Sequence, residues 1–348
     1  MRILIAEDDE ALAKFVRQGL EAENYSVDVF TDGEQARTAA ADVDYDVVIL
    51  DLNLPKLDGV SVLRHLRLKK PSLPVLILTQ RNRVEDRIQC LDTGADDYVP
   101  KQMSTSSLDI FHIREDLIAK IRAAAQSPRL HPPACGKKPP VSSANEQRDI
   151  LSSTPAIVAV GASTGGPKAL QEILPLLPGD LSVPVLIVQH MPAGFTAPFA
   201  QRLNALCRLT VREAANKEVL EPGVVYIAPA GLHMTVQRSH DSLATISLDP
   251  HPVDHLHIPS VDIMMKSVAR NFRDLAMGVI LTGMGSDGAK GMKAIHLEGG
   301  LTIGQDEASC TVYGMPRACA ELGVLSRMVP LSQIPNRILE ATRYRMRA

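Results

Sequence analysis

The stretch IVAVGASTGGPKAL, residues 157–170, runs from an apolar segment through a glycine-rich turn into a segment that we expect to be helical. An apolar run that turns directly into a helix is one strand–helix unit of an α/β fold. The turn can serve either of two functions. Its backbone N–H groups can hold a phosphate at the start of the helix, or it can expose one serine as a nucleophile.

Strand and helix patterns continue to alternate around this stretch, over residues 155–345. The predicted strands are AIVAV, VPVLIVQ, GVVYIAP and AMGVILT, and the predicted helices are GPKALQEILPLL, TAPFAQRLNAL, PSVDIMMKSVARNF and DGAKGMKAIHLEG. A β-hairpin is expected near residues 232–248. The pattern predicts a mainly parallel, doubly wound α/β domain with one hairpin.

A second alternating pattern occupies residues 1–125. The predicted strands are RILIA, SVDVF, DVVIL, PVLILT and DYVP, and helices are expected around residues 10–22, 34–41, 58–69, 83–92 and 114–125. The run VVIL is apolar at every position, as in a central parallel strand that is covered on both faces. This half of the chain therefore predicts a five-stranded, doubly wound parallel sheet.

The alternation stops over residues 126–154, where prolines are interspersed with serine, lysine and glycine. A segment of this composition lacks the apolar residues for a core and suits a partly extended linker. We therefore predict a first domain at residues 1–125, a linker at 126–154 and a second domain at 155–348.

The composition excludes several classes of protein. The chain has 348 residues, a formal net charge of −3, 3% aromatic residues and no tryptophan, so we expect no nucleic-acid partner. No apolar run approaches about 18 residues and the N-terminus has no signal-peptide pattern, which predicts a cytoplasmic protein without membrane insertion. The five cysteines are scattered without a CxxC spacing, which favours reduced thiols over disulfides or a zinc site.

Polar residues stand at the ends of the predicted strands of the first domain. They are Glu7, Asp8 and Asp9 after the first strand, Asp51 after the third, Thr79 at the end of the fourth and Lys101 after the fifth. The carboxyl ends of parallel strands line one crevice. Crowded carboxylates there favour Mg²⁺, and one of them can act as a nucleophile toward a phosphoryl donor. Alternatively, the first three acids only cap the next helix.

These motifs, in this order, resemble the receiver domain of two-component response regulators. The resemblance is carried by ILIAEDD, VVILDLNLPKLDG, VLILT and GADDYVPK, and it implies a flavodoxin-like fold phosphorylated on Asp51. It further implies a Mg²⁺ site made by Glu7, Asp8, Asp51 and the backbone carbonyl of Asn53, phosphoryl sensing by Thr79 and Lys101, and a rotamer change of Tyr98. Receivers usually have a proline where Gln102 stands, and a cis peptide costs far more without proline.

Three residues of the second domain suggest nucleophilic catalysis. GASTG, residues 161–165, has the G-x-S-x-G spacing that exposes a serine, here Ser163. His190 follows the strand VPVLIVQ, and Asp287 follows GVILT within GMGSDG. Singly, His190 is typical of a structural histidine and Asp287 of a helix cap. Together, at three strand ends, they match a serine activated by a histidine that a carboxylate orients. A P-loop would place Lys-Ser/Thr after the glycines, and Pro167 and Lys168 do not fit it.

The second domain also resembles a known family, the CheB methylesterases. VGASTGGPKAL, VQHMPAGFTAPFAQRLN, LEPGVVYIAPAGLHM, PSVDIMMKSVA, VILTGMGSDGAKGM and QDEASCTVYGMPRA carry the resemblance over residues 155–345. It implies Ser163 as nucleophile, His190 as general base and acid and Asp287 as its partner, with Thr164 and Met284 bordering the site near an oxyanion hole. The catalytic domain would need no cofactor.

The implied substrate is a glutamate 5-O-methyl ester on the cytoplasmic domain of a chemoreceptor, and the products are a carboxylate and methanol. Deamidation of receptor glutamines is implied as well. The implied phosphodonor is a histidine kinase resembling CheA. We expect the unphosphorylated first domain to block the Ser163 crevice and phosphorylation of Asp51 to free it.

Two other functions fit parts of the sequence. The second domain could bind receptors without hydrolysing them, as an adaptor, or its glycine-rich loops at 161–166 and 283–288 could bind a nucleotide. The loop HPVDHLHIPS, residues 251–260, also holds His251, Asp254, His255 and His257, which could suggest a metal site, although its prolines prevent a helix from aligning them. The CheB family often has a basic residue where Ile258 stands.

Overall fold

A computed structural model describes residues 1–71, 73–79, 90, 93–101, 121, 154–192, 194–238, 243–253 and 257–344. The helices expected at 83–92 and 114–125 lie outside the described residues except at positions 90 and 121. The linker predicted at 126–154 lies outside them except at position 154.

The N-terminal sheet has five parallel strands in the order β2-β1-β3-β4-β5. The strands are β1 (Arg2–Ala6), β2 (Ser26–Phe30), β3 (Val47–Leu50), β4 (Val75–Thr79) and β5 (Asp97–Pro100). The helices between them are α1 (Glu10–Glu21), α2 (Gly33–Asp42) and α3 (Gly59–Lys69). The predicted five-stranded α/β sheet is confirmed.

Aspartates start each of these three helices. The carboxylate of Asp9 accepts the backbone N–H groups of Ala11 and Leu12, and Asp32 and Asp58 make the equivalent bond at the starts of α2 and α3. These bonds satisfy N–H groups that the first turn of a helix leaves without a partner. Helix capping thus explains Asp9, one of the three acids that follow β1.

The C-terminal sheet has seven parallel strands in the order β14-β13-β12-β6-β7-β9-β8, with a separate antiparallel hairpin of β10 and β11. The strands are β6 (Ile157–Ala162), β7 (Val185–Gln189), β8 (Thr210–Glu213), β9 (Val224–Ile227), β10 (His233–Arg238), β11 (Ala244–Asp249), β12 (Ala276–Ile280), β13 (Leu301–Gln305) and β14 (Arg327–Val329). The helices are α4 (Gly166–Ile173), α5 (Thr196–Leu206), α6 (Val261–Phe272), α7 (Ala289–Leu297), α8 (Met315–Glu321) and α9 (Ile334–Ala341). The predicted doubly wound fold and its hairpin are both present.

Two hydrophobic cores cover the two faces of this sheet. Val158 and Val160 of β6 belong to one core, and Ile157 and Ala159 belong to the other. Successive side chains of a strand point to opposite faces, so a strand buried on both sides must be apolar throughout. None of the helices in the described part of the chain has the length and apolar character needed to cross a membrane.

The strand order creates a crevice at the carboxyl end of β6. The chain leaves β6 toward β7 on one side, and β12 returns later to pair with β6 on the other side. Helices that leave neighbouring strands in opposite directions open a crevice at such a point, and ligands of α/β sheets bind there. The segments that follow β6, β7 and β12 therefore meet at one place.

Candidate active site

Ser163 lies in the tight turn between β6 and α4. The backbone N–H of Gly166 donates to the Ser163 carbonyl over 2.8 Å. Gly165 has φ 77°, and a Cβ atom there would lie 2.5 Å from the side chain of Thr311. Only glycine meets both conditions without strain. The turn leaves Ser163 half-buried at the N-terminus of α4, where the helix dipole favours negative charge.

His190 and Asp287 meet beside this turn. The backbone N–H of His190 donates to Ala162 over 3.1 Å, which extends the β6–β7 pairing to the histidine. The ring atom Nε2 of His190 lies 2.9 Å from Oδ2 of Asp287. A carboxylate only accepts hydrogen bonds, so Nε2 carries the hydrogen and Nδ1 keeps a lone pair. Within the described residues, that Nδ1 is buried and has no hydrogen-bond partner. Its lone pair is free to accept a proton.

Asp287 is held by the start of α6 as well as by His190. Its carboxylate accepts from Ser260 Oγ at 2.9 Å and from the backbone N–H groups of Val261 at 2.7 Å and Asp262 at 3.0 Å. Burial by itself would raise the pKa of Asp287, but the hydrogen bonds from His190, Asp262 and Val261 hold that pKa well below its usual range. Asp287 therefore stays ionised and fixes the tautomer of His190.

Two side chains outside the predicted set of site residues hold the turn in place. The amide Nε2 of Gln189 donates to the carbonyls of Ser163 at 2.8 Å and His190 at 3.1 Å. The hydroxyl of Thr282 donates to the Thr164 carbonyl over 3.0 Å. Each is a buried polar residue at the end of an apolar strand pattern, and that is the signal by which they could have been found.

Thr164 and Met284 both lie at the turn. A Cβ atom on Gly283 would lie 2.8 Å from the Cβ of Ser163, so the loop that carries Met284 passes directly against the serine. Met284 is 38% exposed, whereas Thr164 is buried. In the described part of the chain, the backbone N–H groups of Thr164 and Met284 donate to no protein acceptor. Such N–H groups near a nucleophile can stabilise an oxyanion.

We expect Gln189→Glu to lower the free energy of unfolding by about 1–3 kcal/mol, because the new carboxylate would face two buried carbonyl oxygens without a donor. Urea unfolding followed by circular dichroism measures the change. Gln201→Glu, exposed on α5, is the matched control and should change the free energy by less than about 0.5 kcal/mol. An unchanged midpoint for Gln189→Glu would mean that the amide is not needed to join the two segments.

The N-terminal domain gathers charged groups at the carboxyl ends of its strands. Lys101 Nζ lies 2.6 Å from Glu7 Oε1 and 2.7 Å from Asp51 Oδ2, and all three side chains are buried. Ligand atoms of Glu7, Asp8 and Asp51 lie within 4.8 Å of one another. Asn53 lies in the loop after β3, while the side chains of Thr79 and Tyr98 and the whole of Gln102 lie outside the described residues.

These carboxylates fit a divalent cation. Glu7 Oε2 is buried, and no hydrogen-bond partner for it occurs among the described residues. Burial raises the pKa of Glu7 to about 7, although the hydrogen bond from Lys101 acts in the opposite direction. One lysine therefore does not compensate the buried carboxylates, and a hard cation with oxygen ligands would do so.

The two domains touch beside the candidate active site. Phe195 is buried in the core of the N-terminal domain, and Met191 packs against that core and against a core of the C-terminal domain. Lys168, on α4, lies 3.7 Å from Asp96 of the N-terminal domain. The N-terminal domain thus contacts the helix that follows Ser163 and the segment that follows His190.

A receiver-like domain with an acidic pocket, joined to an α/β domain with serine, histidine and aspartate at neighbouring strand ends, defines a response regulator with a hydrolase-type output domain. The family model for the CheB methylesterase matches residues 158–338, and the model for the response regulator receiver domain matches residues 3–110. The chain belongs to the CheB methylesterase family.

Relatives and a solved structure agree with this membership. A protein-glutamate methylesterase/protein-glutamine glutaminase of Geobacter sulfurreducens is 39% identical over 97% of this chain and 96% of its own length. One of Symbiobacterium thermophilum with the same name is 38% identical over 98% of this chain and 97% of its own length. The crystal structure of the Thermotoga maritima CheB methylesterase catalytic domain covers 54% of this chain and 99% of that domain, with 38% identity and a TM-score of 0.52.

Proposed function

We propose that this protein is a phosphorylation-activated serine esterase that hydrolyses glutamate 5-O-methyl esters on the cytoplasmic domains of chemoreceptors. It acts in the cytoplasm, and it also deamidates glutamines of the same receptors. The observation that carries the proposal is the buried His190 ring, whose Nε2 is held by Asp287 while Nδ1 has no partner in the described part of the chain. The names of the relatives, which state both activities, support it.

Each residue has a separate role in the proposed reaction. His190 Nδ1 takes the proton of Ser163 while the serine oxygen attacks the ester carbonyl. The N–H groups of Thr164 and Met284 stabilise the oxyanion, and the imidazolium returns its proton to the leaving methoxide, which departs as methanol. Water, activated by the same Nδ1, then attacks the acyl-serine and releases the glutamate carboxylate. With a glutamine substrate the group that leaves is ammonia.

The N-terminal domain would receive the phosphoryl group on Asp51 from a histidine kinase that resembles CheA. Glu7, Asp8, Asp51 and the Asn53 carbonyl would hold Mg²⁺, which supplies positive charge for the phosphoryl oxygens when it is bound. Lys101 already lies against Asp51 and would pair with the added phosphoryl group. Thr79 and Tyr98 are proposed to respond to it.

The contacts between the domains support control of access to Ser163 by the N-terminal domain, which we call the gate. Phe195, Met191 and the Lys168–Asp96 pair place the N-terminal domain against both segments that carry the proposed nucleophile and base. Phosphorylation adds about 1.5 to 2 negative charges to a buried cluster. We propose that the resulting rearrangement weakens these contacts and opens the Ser163 crevice to a receptor helix.

The test is methanol release by the full chain from membranes that carry methylated chemoreceptors, with and without Mg²⁺ and acetyl phosphate. Methanol release should rise at least about tenfold with acetyl phosphate. This corresponds to a change of roughly 1.4 kcal/mol in the free-energy difference between the closed and open arrangements of the two domains. Asp51→Asn should lose this response, and Asp44→Asn, whose side chain is 96% exposed, should keep it.

Each of the other outcomes rejects part of the proposal. If methanol release does not change with acetyl phosphate, the esterase function stands and control of the Ser163 crevice by phosphorylation is rejected. An absence of release from several receptor preparations, with tight receptor binding, would favour the adaptor function instead.

A further inference from the structure

The ring of a second histidine, His257, stacks on the ring of His190. The centroids of the His190 and His257 rings are 4.0 Å apart, and the ring planes meet at 22°. The side chain of His190 is only 9% exposed, and His257 is half-buried. His257 belongs to the group that could suggest a metal site from the sequence, and two other members of that group, Asp254 and His255, lie outside the described residues.

Hydrogen bonds hold the residues that directly follow His257. Gly231 N–H donates to the carbonyl of Ile258 over 3.1 Å, and Ser260 N–H donates to Nδ1 of His233 over 3.1 Å. The hydroxyl of the same Ser260 donates to Asp287. Residues 257–260 thus support His190 in two ways. Ser260 binds the Asp287 carboxylate at the edge of the His190 ring, and His257 covers one face of that ring.

The geometry of the pair excludes proton transfer between the rings. Nearly parallel rings at this distance meet through their faces, whereas an N–H···N bond requires a nitrogen in the plane of each ring to point at the other. Neither ring nitrogen of His257 has a hydrogen-bond partner among the residues that the structure describes. His257 is therefore suited to hold the other ring rather than to act on substrate.

We propose that His257 is a positioning residue, whose ring covers one face of His190 and keeps Nδ1 directed at Ser163. This inference rests on the proposed esterase function. The rotation of an imidazole about its side-chain bonds is not fixed by the single contact at Nε2, and a stacked ring removes that freedom. A neutral aromatic face also tolerates the imidazolium that forms during the reaction.

The charge of His257 is consistent with this role. The titratable groups that face it within the described residues are His190, after β7, and Asp287, after β12. Burial and then the charge of His190 lower the pKa of His257 to about 4, against the opposing effect of Asp287. The ring therefore stays neutral at neutral pH and does not oppose protonation of His190.

The test compares His257→Ala and His257→Phe in the full chain. Methanol release should show kcat lowered roughly 10- to 100-fold in His257→Ala with KM little changed, because the base is misplaced and substrate binding is not. His257→Phe restores a flat neutral ring and should recover most of the loss. His251→Ala, in the same loop but 75% exposed, is the control and should behave as the parent protein.

A second measurement does not depend on activity. Proton NMR of the parent protein should show a downfield resonance for the Nε2–H of His190 that is retained in His257→Phe and broadened in His257→Ala, with urea unfolding to verify that both variants fold. An unchanged kcat and resonance in His257→Ala would overturn the inference, as would equal loss in both variants. If the parent protein releases no methanol but the resonance responds as expected, the esterase function fails and the positioning role stands.

Discussion

Ser163→Ala is expected to reduce methanol release by roughly a millionfold, to the level supplied by binding and the oxyanion N–H groups alone. The variant removes the hydroxyl oxygen that we propose as the nucleophile and leaves His190 and Asp287 in place. Because alanine fits the turn after β6 without new contacts, the protein should fold normally. Single-turnover assays of methanol release by the phosphorylated full chain measure the loss.

Ser182→Ala is the matched control. Ser182 is exposed and precedes β7, away from the crevice, so its loss should leave the rate unchanged. The assignment of Ser163 as nucleophile would fail if Ser163→Ala kept more than about one thousandth of the parent rate, since other triad enzymes retain far less without their serine.

Asp287→Asn should lower kcat by about 10⁴-fold, because an amide that donates to Nε2 would force the hydrogen of His190 onto Nδ1 and remove the base. The substitution also replaces the carboxylate that accepts from Val261 and Asp262 at the start of α6. The free energy of unfolding should therefore fall by about 1–3 kcal/mol at neutral pH. Kinetics and urea unfolding, with the exposed Asp249→Asn as control, separate the two effects.

The pH dependence of this stability has a defined sign. Hydrogen bonds hold the pKa of Asp287 well below the usual range of an aspartate, so the folded protein keeps the carboxylate ionised where the unfolded chain would bind a proton. This contribution to stability is complete above the pKa of the unfolded chain and is lost as the pH falls through the folded pKa. As the pH falls below about 4, the difference in unfolding free energy between the parent protein and Asp287→Asn should become progressively smaller. A constant difference down to pH 3 would contradict the proposed role of the charge.

In the C-terminal domain, local patterns predicted the strands β6, β7, β9 and β12, the hairpin and the helices α4 to α7, but neither the short edge strands β8 and β14 nor the helices α8 and α9. They missed β13, whose buried residues include Thr302 and Gln305. Thr302 donates to the carbonyl of Val324, and Gln305 accepts the N–H of Thr282. A polar residue is stable inside a sheet only with such partners. Because those partners come from distant segments, the sequence near β13 does not reveal that it is an interior strand of the sheet.

The site residues also differ in how far their positions follow from the sequence. Ser163, His190 and Asp287 each follow an apolar strand, and the geometry of parallel sheets places strand ends together. Gln189, Thr282 and His257 act on backbone carbonyls or on a ring face. Contacts of that kind impose no spacing in the chain. The positions of Gln189 and Thr282 at the ends of apolar strands mark them in the sequence, but their partners, and the stacking of His257, become visible only once the fold is known.

The central position of β6 between β7 and β12 also bears on how the protein reaches its native state. His190 and Asp287, which must meet, are 97 residues apart in the chain, and the bond from Thr282 to Thr164 spans 118 residues. Contacts at such separations form late and slowly, because long loops must close first. During refolding, catalytic competence should therefore appear only after most helical signal has returned. Recovered activity would thus report completion of the whole C-terminal sheet, whereas a fragment that ends before β12 would stay inert however well its own helices form.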